Sequence, residues 1–233
     1  MEKDMPTTAG RAGRAGNRAV LLTAAALGSV LLAGCSVDVR DPSVTAAPAG
    51  TPVVSRPTIT PGYDAAAVAG RDLPFAAGGT LAPGVPVGIS DGLKDAPGWK
   101  LVKENVSGAS QFAKTDGCLV AARVSTGQAP LVRGGDRESS LALFQYLDPT
   151  IQPSYLKTQT LQWGGTPDAP GKNVEVLAFE QSAPGGRSTA VLARVFGAAQ
   201  SSAYISVSCP DPATLASARL DVVRYLPLLP PSA

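Results

Sequence analysis

A chain with three alternating strands in direct succession has few folds open to it. Between residues 174 and 209 this chain has such a run. The first segment, 174–181, is followed by Pro184-Gly185-Gly186, a turn of hairpin length. The second, 189–197, puts Val191, Ala193 and Val195 on one face and Leu192 and Phe196 on the other. In the third, Ala203, Ile205, Val207 and Cys209 alternate strictly with Tyr204, Ser206 and Ser208. Successive side chains of a strand point to opposite faces. The serines therefore predict that one face of this strand is wet or edge-like.

The surrounding elements extend the sheet and add helices. Residues 99–103 read as a strand, and 111–126 as a clearer one with Cys118, Val120, Ala122 and Val124 on one face. Gly127 to Gly135 breaks the pattern. Asp136 is expected to cap a helix over 137–147, with Leu141, Phe144 and Leu147 along its stripe. Residues 161–163 form a short strand candidate. Asp211-Pro212 opens a second helix, a cap residue followed by Pro in the first turn. Its stripe is Leu215, Ala218, Val222 and Leu226, and Pro227 stops it.

The expected order over 97–229 is thus β-β-α-β-β-β-β-α. Strands in hairpin order with helices set apart define the α+β class, an antiparallel sheet with helices packed on it. The stretch is long enough for one core. This order, with the Pro97-Gly98-Trp99 opening, resembles the PsbP/Mog1-like sandwich, on which actinobacterial lipoproteins of the LpqN type are also built. The resemblance lies at the level of element order and carries over no functional residue.

Ahead of this domain the chain reads as an export signal and a linker. Arg11, Arg14 and Arg18 precede an uncharged apolar run that begins at Ala19. Residues 19–34 number 16, fewer than the ~20 of a membrane-spanning helix. Leu32-Ala33-Gly34-Cys35 resembles the lipobox of bacterial lipoproteins at every position. That resemblance implies that residues 1–34 are removed and that Cys35 becomes the lipidated first residue, placed at the extracytoplasmic face of the cell membrane. The alternative for Cys35 is a free or disulfide-bonded thiol behind an ordinary signal. Residues 35–75 carry prolines at 42, 48, 52, 57 and 61 and no lasting apolar period, the composition of a disordered tether. Residues 76–96 are a lead-in rich in turn signals, where Val85, Val87 and Ile89 allow a short edge strand. Residues 97–229 form the globular domain and 230–233 a tail.

Composition narrows the function. The signal takes four basic and two acidic residues from totals of 20 and 18, so the remaining chain is formally neutral. A neutral chain has no basic patch for nucleic acid. The chain has no histidine, which removes Ser-His-Asp and Cys-His catalysis and His-containing metal sites. Cys118 and Cys209 are expected to form one disulfide in an exported protein, or to remain two buried thiols. Ser154 and Lys157 match the Ser-x-x-Lys of penicillin-binding enzymes, without that family's partner motifs. Asp136 and Glu138 are neighbouring carboxylates, more in keeping with a helix start than with glycoside chemistry. Trp99 and Trp163 read as core residues or as pocket lining. No catalytic residue, metal or cofactor is assigned, and no ligand-binding residue is identified. The expected function is a non-enzymatic, membrane-anchored module that docks an envelope protein or a small ligand. A carrier of a lipid or other hydrophobic molecule is the alternative, with a wall- or ester-directed hydrolase behind it.

Overall fold

A computed structural model describes residues 64–231. The elements, in chain order, are α1 (Ala65–Ala69), β1 (Gly88–Ile89), β2 (Trp99–Val106), β3 (Ala109–Lys114), β4 (Leu119–Ser125), α2 (Asp136–Leu147), β5 (Lys157–Thr166), β6 (Ala169–Ser182), β7 (Ser188–Phe196), β8 (Ser201–Cys209), α3 (Pro212–Tyr225) and β9 (Leu228–Leu229). Short 3-10 turns cover Phe75–Thr80 and Gly92–Asp95 among others. The strands form one nine-stranded sheet in the order β1-β9-β5-β6-β7-β8-β4-β3-β2. Every neighbouring pair is antiparallel except β5 and β9. The chain is therefore α+β, with helices on both faces of a mixed sheet.

The hairpin run β6-β7-β8 forms the middle of that sheet, as the alternation requires. β7 is apolar on both faces because both are covered. Ala190, Leu192 and Phe196 join the core on the α3 side, and Ala193 and Val195 join the core under α2. Helix α3 starts where Asp211 accepts the amides of Ala213 and Thr214 at 2.8 and 2.9 Å. It buries the expected stripe of Leu215, Ala218, Val222 and Leu226.

Three expectations change. Residues 111–126 are two strands joined by a turn at Asp116-Gly117, so β2, β3 and β4 stand between Pro97 and α2, and a short β9 follows α3. The hairpin turn preserves the alternation, which hides the break. Helix α2 is capped differently from the expectation. Gly135 is its N-cap, and the Glu138 carboxylate accepts the Gly135 amide at 3.2 Å. Asp136 turns inward, and the buried stripe runs through Ser140, Leu143 and Phe144, leaving Leu147 exposed. Finally, the folded body reaches back at least to Asp64. Val68, Leu73, Leu81, Val87 and Leu93 are buried in the same core as β6–β8, ahead of the expected start at Pro97. Leu73 pairs with β6, donating to Asn173 and accepting from Glu175. The edge strand expected around Val85–Ile89 is present as β1, two residues long.

Cys118 and Cys209 form a disulfide between residues 91 apart in sequence. They stand at the adjoining ends of β4 and β8, which pair antiparallel with Leu119 opposite Ser208. Both are fully buried. Helix α3 is clipped to β2 and β3 by Asp221, which accepts Trp99 Nε1 at 2.9 Å and Lys114 Nζ at 2.8 Å. The hydrogen bond to Asp221 raises the Lys114 pKa against the opposing effect of burial. Lysine in an unfolded chain titrates near ~10.4. The clip's stabilisation is therefore complete below that pH and is lost as pH rises through the higher folded value. Thermal melts of the wild type and Lys114→Met should differ by a constant amount from pH 7 to about 10 and converge above. A difference that persists unchanged to pH 12 would contradict the clip.

Candidate functional site

The two faces of the sheet are covered unequally. On one side α3 packs over β5, β7 and β8, and the segment through Leu93 closes over β2. On the other side α2 packs mainly over β7 and β6, with Tyr204 of β8 against the same core. The strands β4, β3 and β2, and β8 beyond Tyr204, are thus left bare on the α2 side. Large apolar side chains remain in solvent there: Val102 is 59% exposed, Leu119 51%, Tyr146 76% and Leu147 51%.

The wet face predicted for β8 is this bare face. Tyr204, Ser206 and Ser208 are half-buried on it, whereas Ala203, Ile205, Val207 and Cys209 are buried beneath. Cross-strand pairing sets Tyr204 beside Arg123 and Ser206 beside Ala121. Two grooves adjoin on this surface. One, of about 460 Å³, lies between α2 and the β4–β8 pair and is lined by Leu131, Leu143, Tyr146, Leu147, Tyr204 and Arg123 among others. The second, of about 240 Å³, continues over Gln111, Leu119, Ala121 and Val102. Such a lining, mostly apolar with a few placed polar groups, is the usual character of a ligand site.

The site's rigid wall comes from the start of α2. Arg194, on β7, is fully buried. Its Nε and Nη2 donate to Asp136 Oδ2 at 3.0 and 2.8 Å. Nη1 donates to the carbonyls of Leu73 and Glu175 at 2.7 and 3.0 Å, and Nη2 also donates to Pro74 at 3.1 Å. Asp136 Oδ1 accepts the Gly197 amide at 2.9 Å. Ser140 Oγ accepts the Val195 amide at 2.9 Å, where β7 has run past its pairing with β6. Burial lowers the Arg194 pKa, and Asp136 opposes that shift. One guanidinium thus ties β6, β7, α2 and the segment at 73–74 into one unit.

The other residues singled out in the sequence fall elsewhere. Ser154 lies in the 3-10 turn Pro153–Tyr155, and Lys157 begins β5; both are exposed and they share no helical turn. Asp136 and Glu138 part company, one to Arg194 and one to the helix cap. Trp99 and Trp163 are buried, with their indole N–H groups donating to Asp221 and to the Val68 carbonyl. Cys35 lies outside the described residues. The bare face had one sequence signal, the wet side of β8, whose Tyr204 lines the 460 Å³ groove and whose Ser206 and Ser208 line the smaller one; the exposure of Tyr146 and Leu147 had none.

Among the described residues no helix is long and apolar enough to cross a membrane, and no cluster of three metal-ligating side chains occurs. No family model matches the chain, and no curated protein matches it.

Proposed function

We propose that this chain is an exported lipoprotein whose domain docks a partner on the bare sheet face beside α2. In this reading Cys35 carries the lipid at the extracytoplasmic face of the cell membrane. The proline-rich residues after it serve as a tether, shorter than expected because the folded body begins by Asp64. The domain is of the PsbP/Mog1-like kind, as in LpqN-type lipoproteins, and works by binding rather than by catalysis. The observation that carries the reading is the bare face itself. Of the large apolar side chains left in solvent among the described residues, Val102, Leu119, Tyr146 and Leu147 gather on this side, whereas Val106, Tyr155, Leu220 and Leu229 line neither of its grooves. Exposed apolar surface gathered on one face marks an interaction site. The Cys118–Cys209 disulfide supports export, because such bonds persist in oxidising compartments.

The anchor has a direct test. Cys35→Ser should abolish labelling by a fatty-acid probe and release the protein from membranes, since stable attachment needs buried acyl chains at ~0.8 kcal/mol per methylene. Continued labelling of the variant would contradict the assignment.

The carrier reading is favoured by one observation, the groove of about 460 Å³ between helix and sheet. Its volume falls within the range of ~300–1,000 Å³ of small-molecule sites.

A further inference from the structure

The geometry points to a ligand class for the groove beside α2: a single-chain amphiphile with one anionic head group, a long-chain carboxylate. This rests on the bare face being the working surface and adds what it takes up.

Charge comes first. Arg123 is the one charged side chain lining the groove. Three other arginines, on β7, on α3 and just ahead of β7, are engaged. Arg194 holds Asp136, Arg219 holds Glu180, and Arg187 donates to Gly117 and Ser208. Among the described residues Arg123 has no ion-pair partner. It is exposed on β4 directly beside Tyr204. Arginine presents a planar fork of donors that suits a carboxylate bidentately. One cation without an acidic neighbour in the lining fits one anion.

Shape and polarity come next. Leu131, Leu143, Tyr146 and Leu147 supply apolar wall, and Tyr146 and Leu147 leave most of their surface for a ligand to cover. The polar floor is already partly satisfied: Ser202 Oγ donates to Gln128 Oε1 at 3.4 Å, and Gln128 Nε2 donates to the Thr126 carbonyl at 3.0 Å. A ligand with many polar groups would find few free partners there. An apolar body with one charged end meets what remains. The other large groove, of about 420 Å³ at the ends of β1 and β9, offers the opposite charge, with Asp91 and Glu104 in its lining.

The test uses the full chain carrying Cys35→Ser, so that no attached lipid competes. Dodecanoate and dodecyltrimethylammonium, equal chains with opposite heads, are titrated calorimetrically below their micelle concentrations. Dodecanoate should bind at one site, about two- to fivefold tighter than the cation, the range of an exposed ion pair. Arg123→Gln should remove that preference, and Leu147→Ser should weaken both probes alike. In amide NMR spectra the shifts on adding dodecanoate should centre on Leu131 and Tyr204. Equal affinity for both heads, no effect of Arg123→Gln, no binding of dodecanoate, or shifts centred on Asp91 and Glu104 would each overturn the inference. Capture of a protein through Leu119 by a chain that takes up no dodecanoate would sink the ligand assignment while leaving the docking face intact.

Discussion

Asp136→Ala is expected to lower the unfolding free energy by about 3–5 kcal/mol, the range for removing one partner of a buried ion pair. The cost arises from what is left behind. Arg194 has no access to water and would keep its charge with the carbonyls of Leu73, Pro74 and Glu175 as its hydrogen-bond partners and only the Glu175 carboxylate as a nearby countercharge. Domains of this size have ~5–15 kcal/mol in total, so the loss is a large share. It should appear as a lower urea midpoint at an unchanged slope. The change should also be local before it is global. The bonds joining Leu73 to Asn173 and Glu175 sit directly on the guanidinium, so hydrogen exchange of the Leu73 and Glu175 amides should accelerate first. Asp136→Asn is the finer probe. It keeps the shape that fits against Gly78, where any added Cβ would collide with the carboxylate, and it removes the charge while turning one of the two accepting oxygens into an amide donor that faces either Arg194 or the Gly197 N–H. Combined with Arg194→Met, either substitution should be strongly non-additive, because both report one interaction. Additive losses would mean that the pair contributes no coupling.

Removing the disulfide should have an effect of similar size by a different route. Cys118→Ala with Cys209→Ala opens a loop whose ends lie 91 residues apart. The chain-entropy relation puts the stabilisation from closing such a loop at ~4–5 kcal/mol, within the ~2–5 kcal/mol usual for native disulfides. The folded structure should change little, since both sulfurs are buried and alanine leaves that environment apolar. The gap left by two sulfurs adds a smaller cavity cost. Burial also predicts how the bond reacts. Reductant should reach it only through unfolding, so the reduction rate should rise with denaturant in step with the unfolded population. Fast reduction in native buffer would contradict this, as would an unchanged urea midpoint for the double variant.

Periodic elements were legible in the sequence, and irregular ones were not. Helix α3 declared itself through Asp211-Pro212 and its stripe, because cap chemistry and a 3.6-residue repeat are local signals. The bare face was half legible. Ser206 and Ser208 opposite Ile205 and Val207 announced a wet side of β8, but which helix would leave it open depends on packing that no local pattern records. Apart from the short strand expected around Val85–Ile89, the burial of the segment at 64–96 was not legible for a related reason. Val68, Leu73, Leu81, Val87 and Leu93 are spaced irregularly and are delivered to the core by a one-turn helix, a β-bridge and 3-10 turns, so no period betrays them. Arg194 stood in an apolar strand with no visible partner, since Asp136 lies 58 residues earlier. Asp136 itself looked like a cap because Asp at a helix start ordinarily is one. Here the neighbouring Glu138 supplies that bond and frees Asp136 for the interior.

The bare face beside α2 is tested most directly by photo-crosslinking in membranes that hold the intact protein. A photoreactive side chain replaces Leu119 in one variant and Ala216 in another. Leu119 is exposed on the bare face, and Ala216 is exposed on α3, which covers the opposite side of the sheet. Covalent adducts should form from position 119 and be absent from position 216. Adducts of equal yield from both positions, adducts from 216 alone, or none from 119 would contradict the assignment of this face as the working surface.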